Sequence, residues 1–308
     1  MNWTGKTIGL AIGGDSAEAE VSRSGGKAIQ QAFETLGLCY KVLDGIDAVR
    51  KASESAEVDC VFNLIHGEKG EDGVLQGLLE ALGMPYTGSG LQASALTMNK
   101  EFTKYVWKAS GLPVANSVVI SEVSEIEKTE IPDFPVVVKP NCGGSSLGVA
   151  FVKTKGQLNK ACETIIASGD DALVEQQIIG REYTAAILGS EALPLIEIVA
   201  AEEFYDYEAK YQSEETNYIC PCDLTEEQEF ILQEMMLKAY RVCGCSGWGR
   251  VDFMIDEQGD AVLLEVNTTP GMTSHSLVPK AAKAKGISFD GLVMRILESC
   301  IPRMRLIS

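Results

Sequence analysis

The sequence predicts an α/β protein in which a doubly wound, parallel amino-terminal part precedes a mixed α+β region. Three observations predict this class. Thr7–Ile12 is a short apolar run that meets a Gly-Gly turn and then apolar residues at helical spacing, a strand–turn–helix unit. Asp59–Ile65 is a second apolar strand that is followed by a helical pattern. Far along the chain, Arg250–Asp256 and Ala261–Asn267 alternate around Gln258-Gly259, which predicts a β-hairpin.

Composition limits the class of partner. The 308 residues suffice for two or three domains with their own cores. A formal net charge of −18 argues against nucleic acid and anionic membrane, since both attract basic surfaces. No apolar run approaches the roughly 20 residues of a spanning helix, and the first residues do not read as a secretory signal. Nine cysteines cannot all pair, so we expect reduced thiols and a cytoplasmic protein.

The first strand leads into a helix that carries Val21, Ile29 and Leu36 on one face and stops at Gly37. Ligands gather at the carboxyl ends of such strands, but the G-x-G-x-x-G pattern is absent, which argues against NAD. Glu18 stands close to the start of the helix. Taken by itself, it either complements the helix dipole or has a functional role.

The second strand ends at His66-Gly67-Glu68-Lys69-Gly70-Glu71-Asp72-Gly73, and a helix is predicted over 74–82. His66 is one of only two histidines and stands at the end of a strand instead of on a core face. It is either a residue that caps the turn or a group that faces a ligand. A break near residues 90–98 is expected to separate this part from the next helix.

A helix over Asn99–Gly111 carries Lys100, and Val136–Lys139 is an apolar strand. The following Pro140–Val149 contains three glycines and two serines between strands, which predicts a mobile hairpin whose backbone N–H groups can approach phosphate oxygens. Taken alone, such a hairpin is weak evidence for a phosphate site. Leu173–Ile178 reads as the next strand.

Strands are predicted over Glu182–Gly189 and Ala192–Ala200, followed by a long polar loop that reaches about Asn217 and is rich in aromatic residues. Loops of this length are usually lids or disordered, and the aromatic residues favour a lid. Thr225 and Gln228 form a capping box for a helix that ends at Gly244. The last predicted helix is amphipathic and spans Ser288–Cys300.

The carboxyl-terminal hairpin carries the strongest signal for chemistry. A loop of two residues places Asp252 opposite Glu265 and Arg250 opposite Asn267, all on one face. The other face, expected to point into a core, comprises Val251, Phe253, Val262, Leu264 and Val266. Directly opposed residues have Cβ atoms about 5 Å apart, and like charges so placed repel each other. A cation is therefore expected between the two carboxylates, and oxygen ligands suit Mg²⁺. The alternative is a solvated hairpin face, where water screens the repulsion.

The stretches GWGRVDFMID and LLEVNTTPGMTSHSLVP resemble the carboxyl-terminal half of the ATP-grasp fold, and most closely the D-alanine–D-alanine ligase family. The resemblance implies a Rossmann-like amino-terminal domain and two α+β lobes that clasp ATP. It implies three domains: 1–96 binds substrate, 97–180 carries the Gly-rich flap, and 181–308 carries the lid loop, the metal site and the oxyanion site.

The resemblance also implies roles for individual residues. Two Mg²⁺ or Mn²⁺ ions are expected on Asp252, Glu265 and Asn267. Residues expected to act in catalysis are Glu18, Ser145, Tyr211, Arg250 and Gly271. Residues expected to bind the amino acids are Glu18, His66, Glu71, Lys210, Ser276 and Leu277. Residues expected to bind ATP are Lys100, Lys139, Ser145, Ser146, Glu175, Gln176, Ile178, Glu182 and Lys210. For Glu175 and Glu182, the alternative is an exposed strand residue.

The activity implied by the resemblance is the ATP-dependent joining of two D-alanine molecules through a D-alanyl phosphate, for peptidoglycan synthesis, by a homodimer. Two alternatives stay open. One is another ATP-grasp carboxylate–amine ligase, or a D-alanine–D-lactate ligase, against which Tyr211 argues. The other is a regulatory protein that binds ATP without turnover, against which the intact Arg250, Asp252, Glu265 and Asn267 argue.

Overall fold

A computed structural model describes residues 3–16, 18–144, 148–199 and 216–300. The amino-terminal sheet is parallel, with the order β2-β1-β3. Its strands are β1 (Thr7–Ile12), β2 (Cys39–Asp44) and β3 (Cys60–Asn63). Its helices are α1 (Ala19–Thr35), α2 (Ile46–Glu54) and α3 (Val74–Ala81). The predicted strand–turn–helix units are confirmed, because α1 buries Ile29 and Phe33 against the apolar β1.

Two short helices follow, α4 (Leu91–Met98) and α5 (Lys100–Ala109). Residues 91–98, near which a break between domains is predicted, therefore form a helix that the sequence pattern does not reveal. The buried face of α4 consists of small residues such as Ala93 and Ser94, so it lacks the apolar stripe that marks a helix in sequence. Asn99 ends α4 and caps α5, since its side chain accepts a hydrogen bond from the Phe102 N–H at 2.9 Å.

The second sheet is antiparallel, with the order β4-β7-β5-β6. Its strands are β4 (Ser117–Ile120), β5 (Val136–Pro140), β6 (Ala150–Val152) and β7 (Ala172–Gln176). Helix α6 (Lys155–Ala167) covers one face and buries Leu158 and Ile165 against the valines of β5. A single 3-10 turn (Val123–Glu125) lies between β4 and β5.

The third sheet is also antiparallel, with the order β11-β10-β8-β12-β13, and β9 pairs with β8. Its strands are β8 (Gly180–Leu188), β9 (Glu191–Ala192), β10 (Ile196–Val199), β11 (Asn217–Ile219), β12 (Trp248–Asp256) and β13 (Ala261–Asn267). The helices are α7 (Glu226–Val242), α8 (Leu277–Ala284) and α9 (Phe289–Glu298). The predicted capping box at Thr225 and Gln228 is present at the start of α7.

The β12–β13 hairpin has the predicted pairs, Arg250 with Asn267 and Asp252 with Glu265. Beyond them the register shifts, and Phe253 pairs with Leu263. Leu264 is therefore an extra residue, a bulge that reverses the alternation of β13. The prediction that Val262 and Leu264 point into the core is wrong for this reason: Leu263 is fully buried, whereas both of them are half-buried.

Where the chain is described, none of the helices combines the length and the apolar character needed to span a membrane.

Candidate active site

The hairpin holds four polar side chains together. Arg250 donates two hydrogen bonds to the Asp252 carboxylate, from Nε at 2.8 Å and from an Nη at 2.7 Å. The Asn267 amide donates to the same carboxylate at 3.0 Å, and the Thr184 hydroxyl in β8 donates to it at 2.5 Å. Asp252 is thus fixed from three sides, while Glu265 on the neighbouring strand stays partly exposed.

The loop after β3 meets the loop after β13. The Glu71 carboxylate accepts hydrogen bonds from the backbone N–H groups of Gly67, at 2.9 Å, and of Thr269. The His66 imidazole lies with Nδ1 4.0 Å from Glu71 and also hydrogen-bonds to the Thr269 backbone. Burial and the nearby charge of Glu18 raise the pKa of the Glu71 carboxyl to about 8. Burial lowers the pKa of His66, so both groups favour their neutral forms.

Glu18 lies between two glycine loops. A side-chain methyl placed at Gly67 would lie 3.1 Å from a Glu18 carboxylate oxygen, and one at Gly144 would lie 3.3 Å from the same oxygen. The absence of side chains at both positions therefore lets the Gly-rich segment and the loop after β3 approach this carboxylate together.

In the loop after β13, the backbone of Gly271 closely approaches the side chain of Ser276. Ser276, which precedes α8, accepts a hydrogen bond from the Thr273 N–H at 2.9 Å. A Cβ atom at Gly271 would lie 2.8 Å from the Ser276 hydroxyl. Only a glycine leaves this approach open, and the backbone of Gly271 faces the same space as Ser276.

One cavity of about 750 Å³ brings most of the predicted residues together. Predicted residues on its wall are Glu18, His66, Glu71, Arg250, Glu265, Asn267, Gly271, Ser276 and Leu277. A neighbouring cavity of about 830 Å³ shares Glu18, Glu71, Glu265 and Asn267 and adds Lys100. The two cavities therefore adjoin at Glu265 and Asn267 of the hairpin.

Lys100 extends from the first turn of α5 toward this junction. Its ammonium donates to the Gly143 carbonyl in the Gly-rich segment and lies 3.8 Å from the Glu265 carboxylate. Burial lowers the pKa of Lys100, and the charge of Glu265 opposes that effect.

Lys139 and Glu175 form a buried ion pair across β5 and β7. Lys104, four residues after Lys100 on α5, contacts the other oxygen of Glu175. Burial alone would raise the pKa of Glu175, but the two ammonium groups bring it down to about 2. Burial alone would lower the pKa of Lys139, yet the charges of Glu175, Glu265 and Glu182 raise it.

The remaining predicted residues do not line the two cavities. Gln176 is the last residue of β7, and Ile178 lies in the connection from β7 to β8. The Gln176 amide oxygen accepts a hydrogen bond from the Asn116 amide at 3.4 Å, on a separate groove. Glu182 lies in β8, and its negative charge acts on the Lys139 ammonium. The predicted residues Ser145, Ser146, Lys210 and Tyr211 lie outside the described part of the chain, as does most of the predicted lid.

Three residues of the site did not emerge from the sequence. Lys104 had a usable signal, because a spacing of four residues from Lys100 puts both on one helix face. Thr184 had none, since it meets Asp252 only through the pairing of β8 with β12. Thr269 acts through its backbone, which no side-chain pattern reveals.

A parallel amino-terminal sheet, two antiparallel α+β units and a cluster of lysines and carboxylates where they meet define the class of ATP-grasp enzymes. Family models described as the D-ala D-ala ligase N-terminus and C-terminus match residues 41–89 and 106–298. The chain belongs to the D-alanine–D-alanine ligase family.

Individual relatives extend over nearly the whole chain. A protein of Chromobacterium violaceum named D-alanine--D-alanine ligase B is 45% identical over 95% of this chain and 97% of its own length. The D-alanine--D-alanine ligase of Alcanivorax borkumensis is 47% identical over 97% of this chain and 95% of its own. The crystal structure of the Bacillus anthracis ligase complexed with ATP is 31% identical and has a TM-score of 0.82. It covers 98% of this chain and 99% of its own.

Proposed function

We propose that this chain joins two molecules of D-alanine into D-alanyl-D-alanine at the expense of ATP, through a D-alanyl phosphate, and so supplies peptidoglycan synthesis. The observation that carries the proposal is the cavity of about 750 Å³. In a chain of this family, the cavity is lined by the Glu18 carboxylate, the Arg250 guanidinium, the Glu265 carboxylate and the loop that contains Gly271 and Ser276.

The chemistry explains why these groups belong together. A carboxylate is a poor electrophile and hydroxide is a poor leaving group, so the first amino acid must be converted into an acyl phosphate. Its carboxylate attacks the γ-phosphorus of ATP, and ADP leaves. The amine of the second amino acid then attacks the acyl carbon, and phosphate leaves from the tetrahedral intermediate. Each step develops negative charge, which positioned cations and N–H groups stabilise.

The first D-alanine binds at Glu18 through its ammonium group, because a partly buried carboxylate provides a charge-assisted hydrogen bond. His66 and Glu71 complete this pocket as largely neutral groups, which is supported by the directions of their pKa shifts. Ser145 and Tyr211 act with Glu18 in a hydrogen-bonded set that fixes the active-site loops.

ATP lies between the second and third sheets. Lys100 and Lys139 bind its phosphates, which is supported by the position of Lys100 beside the Gly-rich segment. Further residues proposed to contact ATP are Ser145, Ser146, Glu175, Gln176, Ile178, Glu182 and Lys210.

Asp252, Glu265 and Asn267 hold two Mg²⁺ or Mn²⁺ ions. The donor set fits hard divalent cations, because it offers carboxylate and amide oxygens on facing positions of adjacent strands, and two of the three residues line both cavities. In the described part of the chain, no group of three or more His, Cys, Asp and Glu side chains is placed to hold a metal. The proposed set differs from such a group because its third member is the amide of Asn267. When bound, the ions neutralise phosphate charge.

Arg250 and the Gly271 N–H stabilise the tetrahedral oxyanion. Ser276 and Leu277 receive the carboxylate of the second D-alanine, and their proximity to Gly271 supports this. Lys210 adds positive charge when the lid shuts over the reactants, where exclusion of water protects the acyl phosphate.

The division into domains 1–96, 97–180 and 181–308 is supported by the three sheets, whose strands fall into these ranges to within one residue. We also propose a cytoplasmic homodimer. All nine cysteines are free thiols, in keeping with a reducing compartment. Light scattering coupled to gel filtration tests the dimer, and a monomeric mass at micromolar concentration contradicts it.

The experiment that tests the function compares acceptors under one coupled assay of ADP release, with product identified by mass spectrometry. D-Alanine alone is expected to give dipeptide, and L-alanine is expected to give neither product nor ADP. A depsipeptide formed from D-alanine and D-lactate in preference to dipeptide would indicate the alternative ligase. Nucleotide binding without turnover on any amino acid would indicate a regulatory protein.

A further inference from the structure

Lys104 is a buried lysine that the proposed mechanism leaves without a role. It lies one turn after Lys100 on α5, so both side chains leave the same face of the helix. Only 3% of its side chain is exposed, and its ammonium contacts one carboxylate oxygen of Glu175. A buried lysine is costly unless it is paired, so its presence calls for a reason.

Glu175 is shared between two cations. Its other carboxylate oxygen contacts Lys139, and 5% of the Glu175 side chain is exposed. The three groups therefore form a row that runs from α5 through β7 to β5: Lys104, Glu175 and Lys139. The charges of two more carboxylates, Glu265 and Glu182, also act on Lys139.

This row of charges affects whether the Lys139 ammonium is available to bind a phosphate. A buried carboxylate must be compensated by cations or hydrogen-bond donors. With Lys104 present, Glu175 has a cation on each oxygen and needs only part of the charge of Lys139. Without Lys104, Glu175 would depend on Lys139 alone and would draw its ammonium away from the nucleotide.

We propose that Lys104 is a positioning residue of the nucleotide site, which by pairing with one oxygen of Glu175 leaves the Lys139 ammonium available to the phosphates of ATP. The inference rests on the proposed ATP-binding role of Lys139. Lys104 itself touches no reacting atom.

The helix that carries Lys104 is anchored independently. Trp107 is fully buried, and its indole N–H donates to the Ala239 carbonyl in α7 at 2.9 Å. Asn99 caps the other end of α5. Removing the Lys104 ammonium therefore leaves the contacts that hold α5 in place.

The test measures nucleotide binding without turnover. Lys104→Met is titrated with the Mg²⁺ complex of a non-hydrolysable ATP analogue by calorimetry, beside Lys108→Met, an exposed lysine on the same helix. We expect the Lys104→Met affinity to fall about tenfold, as for the loss of one charge-assisted contact. We expect Lys108→Met to bind like the wild type. KM for ATP rises in Lys104→Met, whereas KM for D-alanine stays within about twofold.

A second pair of variants separates positioning from stability. In a Glu175→Gln background the carboxylate that competes for Lys139 is gone, so adding Lys104→Met is expected to change the affinity by less than about threefold. Lys104→Arg keeps the charge and is expected to recover most of the affinity. If Lys104→Met does not fold, Lys104→Gln, which is uncharged but polar, takes its place in both backgrounds with the same expected results.

Three outcomes would overturn the inference: wild-type affinity in Lys104→Met, an equal loss in both backgrounds, or an equal rise of both KM values. Failure of the proposed function looks different. In that case the wild-type chain makes no dipeptide from D-alanine, whatever its affinity for the nucleotide analogue.

Discussion

Replacement of Glu265 by glutamine is expected to abolish most activity while the protein folds normally. Glu265 stands opposite Asp252 on adjacent strands and lines both cavities, so its charge is the accessible half of the proposed metal site. Glutamine keeps the size and one carbonyl oxygen but removes the negative charge that a divalent ion requires.

The structure sets the size of the effect on folding. At the 3.8 Å that separates Lys100 from Glu265, the gross attraction is about 4 kcal/mol at an effective dielectric constant near 20. Glu265 is partly exposed to water, and the Lys100 ammonium keeps the Gly143 carbonyl as an acceptor, so the net loss is about 1 kcal/mol. A melting temperature within about 4 °C of the wild type follows for a chain of this size. Loss of one electrostatic group at the transition state typically lowers kcat by about 100- to 1,000-fold.

The assay is coupled ADP release with D-alanine at increasing Mg²⁺, with thermal melting measured on the same preparations. Glu257→Gln is the matched control, because it makes the same substitution at an exposed position of the same hairpin. Near-wild-type turnover of Glu265→Gln at low Mg²⁺ would refute the metal assignment. A loss shared by Glu257→Gln would show that the hairpin, and not the site, had been damaged.

Three further predictions concern the residues around the cavity. Between pH 4.5 and about pH 8 the wild type should lose stability relative to Glu71→Gln, because burial raises the pKa of the Glu71 carboxyl from 4.5 to about 8 in the folded state. A constant difference between the two melting temperatures at all pH values would contradict this. Thr184→Val removes the 2.5 Å hydrogen bond to Asp252 and should weaken direct Mn²⁺ binding about tenfold, whereas Thr184→Ser should bind as the wild type does. Gly271→Ala places a Cβ atom 2.8 Å from the Ser276 hydroxyl and should raise KM for the acceptor D-alanine about tenfold with unchanged binding of the ATP analogue; a normal KM would exclude Gly271 from the acceptor site.

The sequence predicted best where a local rule determined the geometry. Alternation fixed the facing pairs of the hairpin, and both Arg250 with Asn267 and Asp252 with Glu265 are confirmed. Apolar runs that end at glycine turns marked β1 and β3, and the capping box at Thr225 marked the start of α7. These signals depend on residues close in sequence or on one side-chain period, so a single chain carries them in full.

Prediction from the sequence failed where a contact depends on residues far apart in the chain or on one inserted residue. The bulge at Leu264 changes which residues of β13 are buried, and nothing in the alternation marks it. The small buried residues of α4 form no amphipathic stripe, so no pattern in the sequence predicts that helix. The contact of Lys104 with Glu175 joins α5 to β7 across about 70 residues, which only the packed second sheet brings together.

The charges of the site account for how an acidic chain can receive an anionic nucleotide. The chain carries a net charge of −18, which repels ATP at long range. In the described structure Lys100 already faces Glu265, and Lys139 already faces Glu175. Paired cations attract phosphate weakly. On the roles proposed for Lys100 and Glu265, binding is therefore expected to exchange partners, with Lys100 passing from Glu265 to a phosphate and Glu265 passing from Lys100 to a divalent ion. Because each exchange leaves a buried charge uncompensated without the other, nucleotide and metal are expected to bind as one complex.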